Sequence, residues 1–158
     1  MTNSKIITGN DNQILRTISQ NIKIKDINSL SKKLYKIINR QKALGLAAPQ
    51  IGENVRIFLA KIGKSFMILA NPKILSQSFT KKIAEEGCLS LPGKWGEVER
   101  FEEITVEFLD QKGQKKKMNL KDLDARVVQH EIDHLDGILF TDKLIVSDKE
   151  INPPPKTC

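Results

Sequence analysis

The feature that most constrains this chain is a pair of histidines, His130 and His134, in the segment QHEIDHLDG. They are the only histidines among 158 residues, and Glu131 directly follows the first. Residues four apart on an α-helix share one face, so the two imidazole rings can converge on one cation. The glutamate can then reach the water bound to that cation. The alternative is that both histidines are ordinary hydrogen-bonded core residues.

The residues around this pair indicate that its face is buried. A helix is predicted from Leu120 to Leu135, with Asn119 as N-cap and Gly137 as C-terminal stop. At about 100° per residue, one arc of roughly 80° holds five side chains, and a polar stripe lies well away from it. The arc consists of Leu120, Leu123, Val127, His130 and His134, and the stripe of Asp122, Arg126, Gln129, Asp133 and Asp136. Glu131 lies at the edge of the arc, where an uncompensated carboxylate would be costly, and this favours a divalent cation.

Two histidines leave a catalytic site short of one ligand, because such sites have three protein ligands and one open position. Cys88, in EEGCLSLP, is the leading candidate, since Gly87 before it permits a close backbone approach. Glu85, Glu86 and Cys158 are the alternatives. A lone buried cysteine is also common as inert packing.

The remaining pattern predicts one domain of mixed α and β structure. An amphipathic helix is expected from Ile27 to Lys42, followed by a loop at LGLAAPQIGENV. Two strands, VRIFLAKI and FMILANPKIL, are joined by a tight turn at GKS. A strand interrupted by Gly and Pro follows in EEGCLSLPGKWGEVER, and then a hairpin in ITVEFLDQKGQKKKMNL, around Gln111 to Gly113. A Pro-rich tail begins at about residue 151 and cannot be helical.

Composition excludes several classes of protein. The formal net charge is +7, but the lysines are scattered and aromatic residues make up only 5%, so no specific nucleic-acid readout is expected. No apolar run is long enough for a membrane span, and the start resembles neither a signal peptide nor a transit peptide. We expect a cytoplasmic protein without a membrane association. The two cysteines do not form a disulfide scaffold.

Three segments, LGLAAPQIG, EEGCLSLPG and QHEIDHLDG, resemble in order and spacing the signature segments of the peptide deformylases. The likeness extends from QILRTIS near the start to ILFTDKL near the end. The resemblance implies an α+β fold, with small antiparallel sheets around a central His-bearing helix and an N-terminal helix outside. It also implies the activity, removal of the formyl group from the N-terminal formylmethionine of nascent polypeptides, with release of formate.

The resemblance further implies a metal site and a reaction. Cys88, His130 and His134 are the implied ligands of one divalent ion, Fe(II) in the cell, with Zn, Ni or Co as substitutes. The metal-bound water is the implied nucleophile, and Glu131 is the general acid and base. A site with two histidines, one cysteine and an open position suits several first-row ions, so the residues alone do not choose among them.

The family pattern also supplies groups that bind the substrate. Gln50, through its side-chain amide, and Leu89, through its backbone N–H, are the implied donors to the oxyanion. Gly45 resembles the glycine whose main chain lines the site. Candidates for the methionine pocket, each with plain core packing as the alternative, are Leu44, Leu123 and Val127.

Some positions depart from the family pattern or stay open. Ala43 stands where the first motif usually has glycine, which predicts a modestly different loop entry. Bacterial relatives often carry a basic C-terminal helix that docks on the ribosome. The ending KEINPPPKTC makes that route of docking unexpected, although proximity to the ribosome remains compatible with the activity. Trp95 is a pocket rim or a core anchor, and Arg100 and Arg126 bind substrate carbonyls, motif carboxylates or surface partners.

Two other functions are compatible with the histidine pair. A zinc endopeptidase would cleave internal peptide bonds and use a third ligand other than Cys88. A noncatalytic zinc-stabilised binding module, using the positive charge on RNA, would need four protein ligands. Its fourth ligand is hard to find unless Cys158 folds back.

Overall fold

The computed structural model describes residues 5–145, which contain three α-helices, seven strands and two 3₁₀ turns. The helices are α1 (Gln13–Arg16), α2 (Ile24–Ile38) and α3 (Asp122–Leu135). The strands are β1 (Gly45–Ala47), β2 (Ile57–Ile62), β3 (Ser65–Gln77), β4 (Lys81–Gly87), β5 (Trp95–Phe101), β6 (Glu103–Leu109) and β7 (Lys115–Lys121). The 3₁₀ turns are Ala48–Ile51 and Phe140–Lys143. The Pro-rich tail and Cys158 lie outside the described residues.

The strands form two antiparallel sheets. One has five strands in the order β1-β2-β3-β6-β7, and the other pairs β4 with β5. The turn predicted at GKS is confirmed, because Ile62 pairs with Ser65 across two turn residues. Gly63 there has φ +61°, the left-handed conformation that a two-residue hairpin turn needs. The predicted β6–β7 hairpin is also confirmed.

Strand β2 separates two apolar cores because its alternate side chains point to opposite faces of the sheet. Phe58 and Ala60 pack in the core beside α3. Ile57 and Leu59 pack in the core beside α2. Helix α2 contributes a buried stripe and keeps its lysines Lys25, Lys32 and Lys36 exposed. The molecule is therefore of the α+β class, as predicted.

Helix α3 packs against both sheets, and every residue from Ala125 to Leu135 is buried. Both histidines point into the interior, as predicted. The predicted polar stripe is not on a solvent face, however, because Arg126, Gln129 and Asp133 are all buried. Leu123, placed on the buried arc by periodicity, is 48% exposed.

Several predicted boundaries were wrong. Helix α3 begins at Asp122 with Lys121 as N-cap, because β7 keeps pairing with β6 up to Lys121. Asn119 lies in β7, where its side chain accepts a hydrogen bond from Thr105. Leu120 also lies in β7, and its side chain is buried. Helix α2 lies earlier in the chain than the predicted Ile27 to Lys42.

Two further elements differ from the prediction. The segment predicted as a loop at LGLAAPQIGENV holds β1 and a 3₁₀ turn, since Gly45 to Ala47 pair with β2. Helix α1, capped by the side chain of Asn12, was not predicted at all. Within residues 5–145, no helix has both the length and the apolar character that a membrane crossing requires.

Candidate metal centre

The three predicted ligands, Cys88, His130 and His134, meet in the interior of the molecule. Their ligand atoms all lie within 4.8 Å of one another, and Cys88 Sγ is 3.3 Å from His134 Nε2. Both rings are buried and the thiol is half-buried. Among residues 5–145, no second group of three such ligands comes together.

Local structure explains why residues this far apart in the chain converge. Strand β4 ends at Gly87, and the chain then turns, with the Leu91 N–H donating to the Cys88 carbonyl over 3.0 Å. The turn is anchored by Leu91, which packs in a small apolar cluster with Val98 and Phe140. Cys88 contacts the same cluster, and the rings of Phe140 and His130 stack at 6.3 Å. The thiol is therefore held against the histidine face of α3.

The ring of His130 is oriented by a carboxylate behind it. Its Nδ1 lies 2.8 Å from Glu86 Oε2, so the Nδ1–H donates to Glu86 and Nε2 is the ring nitrogen that can act as a metal ligand. Histidines that bind metals are commonly oriented in this way. Nδ1 of His134 is also buried, and it has no hydrogen-bond partner within residues 5–145.

Glu86 belongs to a network of buried ion pairs. Arg100 donates to both carboxylate oxygens at 2.9 Å, and Arg126 donates to Oε1 at 2.8 Å. Arg100 also donates to Asp133, whose other oxygen accepts from Lys143 at 2.9 Å. Burial alone would raise the pKa of Glu86, but the bonds and charges of Arg100 and His130 outweigh it and hold that pKa well below its ordinary value. Glu86 is therefore a carboxylate, and none of its described contacts is with the thiol.

Glu131 is fully buried beside His130, and Gly45 of β1 lies directly against it. A Cβ atom at position 45 would be 2.2 Å from Glu131 Oε1, far inside van der Waals contact. Only a glycine leaves room for the carboxylate in this position. The first and third sequence motifs therefore meet at the metal centre.

Gln50, in the 3₁₀ turn after β1, is also fully buried and reaches the thiol. Its Nε2 is 3.5 Å from Cys88 Sγ and 3.1 Å from Ser90 Oγ, and its Oε1 accepts from the Ala47 N–H at 2.9 Å. Leu89 follows Cys88 directly, and its side chain packs against the core beside α2. The amide of Gln50 and the chain after Cys88 thus border the same centre.

The three predicted pocket residues lie in two environments. Val127 is in the core beside α3, and Leu44 packs against that core. Leu123, by contrast, lines a cavity of about 160 Å³ together with Ala84 and Arg126. Arg126 contacts Glu86, whose other oxygen contacts His130, so two side chains connect this cavity to a metal ligand.

Known proteins resemble this chain over most of its length. Residues 4–150 match the family model described as polypeptide deformylase. A peptide deformylase of Pseudothermotoga lettingae is 44% identical over 131 residues, which is 82% of this chain and 76% of the relative. The chain belongs to the peptide deformylase family.

Solved structures agree with this assignment. The peptide deformylase of Thermotoga maritima has a TM-score of 0.85 at 32% identity, over 90% of this chain and 97% of that one. A class I type b peptide deformylase from Acinetobacter baumannii, bound to Met-Ala-Ser, has a TM-score of 0.82 at 28% identity, over 88% of this chain and 96% of that one. The peptide deformylase family consists of metal-dependent hydrolases that act on formylated peptides, so the predicted family and enzyme class are confirmed.

Membership in this family and the geometry resolve several alternatives left open by the sequence. Arg100 and Arg126 bind the motif carboxylate Glu86 and are not surface ion pairs. Ala43 is not in the left-handed region, which among non-glycine residues 5–145 contains only Asn71 and Asp122. The departure at Ala43 therefore imposes no backbone strain. An endopeptidase with a different third ligand is not supported, because Cys88 joins the histidines.

Neither Ser90 nor the link from Asp133 to Arg100 was predicted from the sequence. Ser90 lies two residues after Cys88 and is fully buried, and Asp133 directly precedes His134. A hydroxyl residue between two leucines, Leu89 and Leu91, was the available signal for Ser90. Asp133 gave none, because periodicity placed it on the exposed stripe.

Proposed function

We propose that this chain removes the formyl group from N-terminal formylmethionine of nascent polypeptides and releases formate. The observation that carries the proposal is the convergence of one thiol and two imidazoles within 4.8 Å, beside the buried carboxylate of Glu131. Removal of formyl groups is the known activity of the family to which the chain belongs. We place the reaction in the cytoplasm, where nascent chains carry the formyl group.

The residues present fit a divalent metal ion. One thiolate and two neutral imidazoles are a donor set that Fe(II), Zn, Ni and Co all accept, and three protein ligands leave a position open. The Glu86 carboxylate behind His130 is the outer partner that such sites commonly have. We propose Fe(II) as the ion in the cell. When bound, the ion acidifies a water molecule and so supplies the nucleophile at neutral pH.

Glu131 is proposed to move the protons of the reaction. As a carboxylate buried next to His130, it can accept the proton of the attacking water and later deliver one to the departing amine. Gly45 leaves no space between β1 and this carboxylate, which limits the positions that the carboxylate can take. A carboxylate restrained in this way transfers protons at a defined place.

Gln50 and Leu89 are proposed to donate to the oxyanion that develops at the formyl oxygen when water attacks the formyl carbon. The Nε2 of Gln50 already lies 3.5 Å from Cys88 Sγ, and the Leu89 N–H belongs to the next residue in the chain. Donors held in place before the reaction stabilise the transition state without reorganising. Two donors next to the thiol would orient the formyl oxygen.

The methionine side chain is proposed to bind among Leu44, Leu123 and Val127, with the main chain of Gly45 beside the peptide. The cavity that Leu123 lines is also lined by Ala84 and Phe101, and it is bordered by Arg126, which contacts Glu86. The Acinetobacter baumannii relative binds Met-Ala-Ser, a peptide that begins with methionine, and this supports methionine as the first residue of the substrate.

The test is direct. Protein loaded with Fe(II) or Ni is incubated with formyl-Met-Ala, and formate is measured. We expect formate release and no cleavage of the Met–Ala bond. Absence of formate with metal bound would exclude the proposed activity, and cleavage of the internal bond would favour an endopeptidase.

A variant tests the role of Glu131 separately. Glu131→Ala should lower kcat by about 10²–10⁴-fold, the usual contribution of a general acid-base group, while the metal content is retained. Glu99→Ala, which removes an exposed carboxylate on β5, serves as the control and should leave kcat unchanged. Wild-type activity of Glu131→Ala would contradict the assigned role.

A further inference from the structure

We propose that Ser90 is a positioning residue that holds the side-chain amide of Gln50 with its N–H groups toward the metal centre. The inference rests on the proposed role of Gln50 as an oxyanion donor. Ser90 and Gln50 are both fully buried, and their side chains are joined by a hydrogen bond of 3.1 Å. None of the described interactions of Ser90 gives it a direct contact with the substrate.

The contacts of the Gln50 amide determine its orientation. Its Oε1 accepts from the Ala47 N–H, and its Nε2 donates to Ser90 Oγ. If the amide were flipped, its NH₂ group would face the Ala47 N–H, and its oxygen would face the sulfur of Cys88. Both contacts would be repulsive, since the first joins two donors and the second joins an acceptor to a thiolate. The orientation with Nε2 toward Cys88 is therefore strongly preferred.

Ser90 also decides where the second N–H of that amide points. The NH₂ group has two hydrogens in one plane, so when one is bonded to Ser90 the direction of the other is set. That other hydrogen points toward Cys88, whose Sγ lies 3.5 Å from Nε2. It is the hydrogen that the proposed mechanism needs at the oxyanion. Without the hydroxyl, the amide keeps its bond to Ala47 and its 3.5 Å contact with the Cys88 sulfur, but it loses the bond to Ser90 and can rotate more widely.

The backbone keeps the two residues together independently of their side chains. The Ile7 N–H donates to the Gln50 carbonyl at 2.8 Å, and the Gly9 N–H donates to the Ser90 carbonyl at 3.0 Å. The side chains of Ile6 and Ile7 pack against two different apolar clusters. The N-terminal segment, residues 6–9, therefore bridges the 3₁₀ turn of Gln50 and the turn after Cys88. The hydrogen bond between the two side chains therefore joins residues whose backbones are already fixed in place.

Kinetics provides the first test. Ser90→Ala should lower kcat for formyl-Met-Ala by about tenfold, the equivalent of one hydrogen bond, and leave KM little changed. Gln50→Ala should cost more, about 10²–10³-fold, because the donor itself is lost. Ser19→Ala is the matched control, since Ser19 is equally buried and its hydroxyl has no partner within residues 5–145. It should leave kcat unchanged.

A double variant separates positioning from a general structural effect. If Ser90 acts through Gln50, Ser90→Ala should have no further effect on kcat in a Gln50→Ala background. An additive loss in the double variant would overturn the inference. Loss of activity in Gln50→Ala without any loss in Ser90→Ala would overturn the inference alone. An active Gln50→Ala variant would instead remove Gln50 from the mechanism and the inference with it.

The exchange of the Gln50 side-chain amide protons with solvent gives a test that does not depend on activity. In zinc-loaded protein, the side-chain NH₂ protons of Gln50 can be assigned by NMR from their absence in Gln50→Glu. We expect slow exchange of these protons with solvent in the wild type and in Ser19→Ala, and at least about tenfold faster exchange in Ser90→Ala, since a bonded, buried amide is protected. Equal exchange in Ser90→Ala and the wild type would overturn the inference whatever the kinetics show.

Discussion

The contact between Gly45 and Glu131 shows how one atom can control the centre. The two residues are 86 positions apart, and yet a single added methyl group at position 45 would overlap the carboxylate that we propose as the acid-base group. Because Glu131 is fully buried, its side chain has little free space into which it could retreat. The smallest possible change at Gly45 should therefore act on the chemistry.

We predict that Gly45→Ala lowers kcat by about 10²-fold, the lower end of the contribution of a general acid-base group, because the carboxylate is displaced. The metal content should stay at the wild-type level, since the atoms nearest to the added Cβ belong to Glu131 and not to a ligand. Formate release and metal analysis on the same sample check both statements. The control is Gly96→Ala, whose Cβ would meet the tip of Leu144 at 2.5 Å, away from Glu131. Wild-type kcat in Gly45→Ala would show that Glu131 tolerates displacement.

Some residues of the site could be predicted from the sequence pattern alone, others only through the resemblance, and one from neither. His130, His134 and Glu131 follow from their own spacing, and Cys88 from the need for a third ligand. Gln50 and Leu89 were available only through the resemblance, since nothing in a lone amide or a backbone N–H indicates an oxyanion. Ser90 could not be predicted from either, because its role depends on a partner 40 positions away.

At the scale of elements, buried charges join β4, β5 and α3. Glu86 of β4, Arg100 of β5 and Asp133 of α3 form a continuous chain of ion pairs, and Arg126 binds Glu86 from a second side. Each side chain is almost inaccessible to solvent. Such a network stabilises the fold only when every charge keeps its partner, because a single buried charge without its partner is costly.

We predict that Arg100→Met lowers the free energy of unfolding by about 3–5 kcal/mol, since it leaves two buried carboxylates with one partner fewer. Urea unfolding of the metal-free protein measures this change without a contribution from metal affinity. Lys81→Met breaks the exposed pair with Glu99 and should cost only about 0–1 kcal/mol. If both variants lost the same small amount, the network would not be a source of stability.

Element boundaries were less predictable than element types. Periodicity correctly predicted α2, α3 and the β2–β3 and β6–β7 hairpins, because each has a local apolar pattern. The segment EEGCLSLPGKWGEVER, predicted as one interrupted strand, instead holds parts of two paired strands, β4 and β5, and the turn between them. Periodicity extended α3 back to Leu120, since Leu120 is buried in β7 as it would be in a helix. It missed β1 because a strand of three residues, Gly-Leu-Ala, is too short to show an alternating pattern and is defined only by its pairing with β2. Likewise, the burial of Arg126 and Asp133 depends on partners in other elements.

At the scale of the whole molecule, the candidate centre connects two halves of the fold. Cys88 follows β4 of the two-stranded sheet, whereas the histidines lie on α3, which also packs on the five-stranded sheet. A cation held by both adds a link between residues 46 apart in the chain. Ligands that bind the folded state alone stabilise it by mass action.

We therefore predict that chelation of the metal lowers the stability of the fold and that Cys88 decides how much. With zinc at about a thousand times its Kd, the expected increment in the free energy of unfolding is about 4 kcal/mol, measured by urea unfolding with and without EDTA. Cys88→Ser should reduce this increment, because oxygen replaces the thiolate, while the metal-free stability changes little. Cys158→Ser tests the rival sulfur ligand and should keep the full increment. An increment lost in Cys158→Ser but kept in Cys88→Ser would assign the third ligand to the tail, and the open position that the reaction requires would then have to be sought in a different coordination sphere.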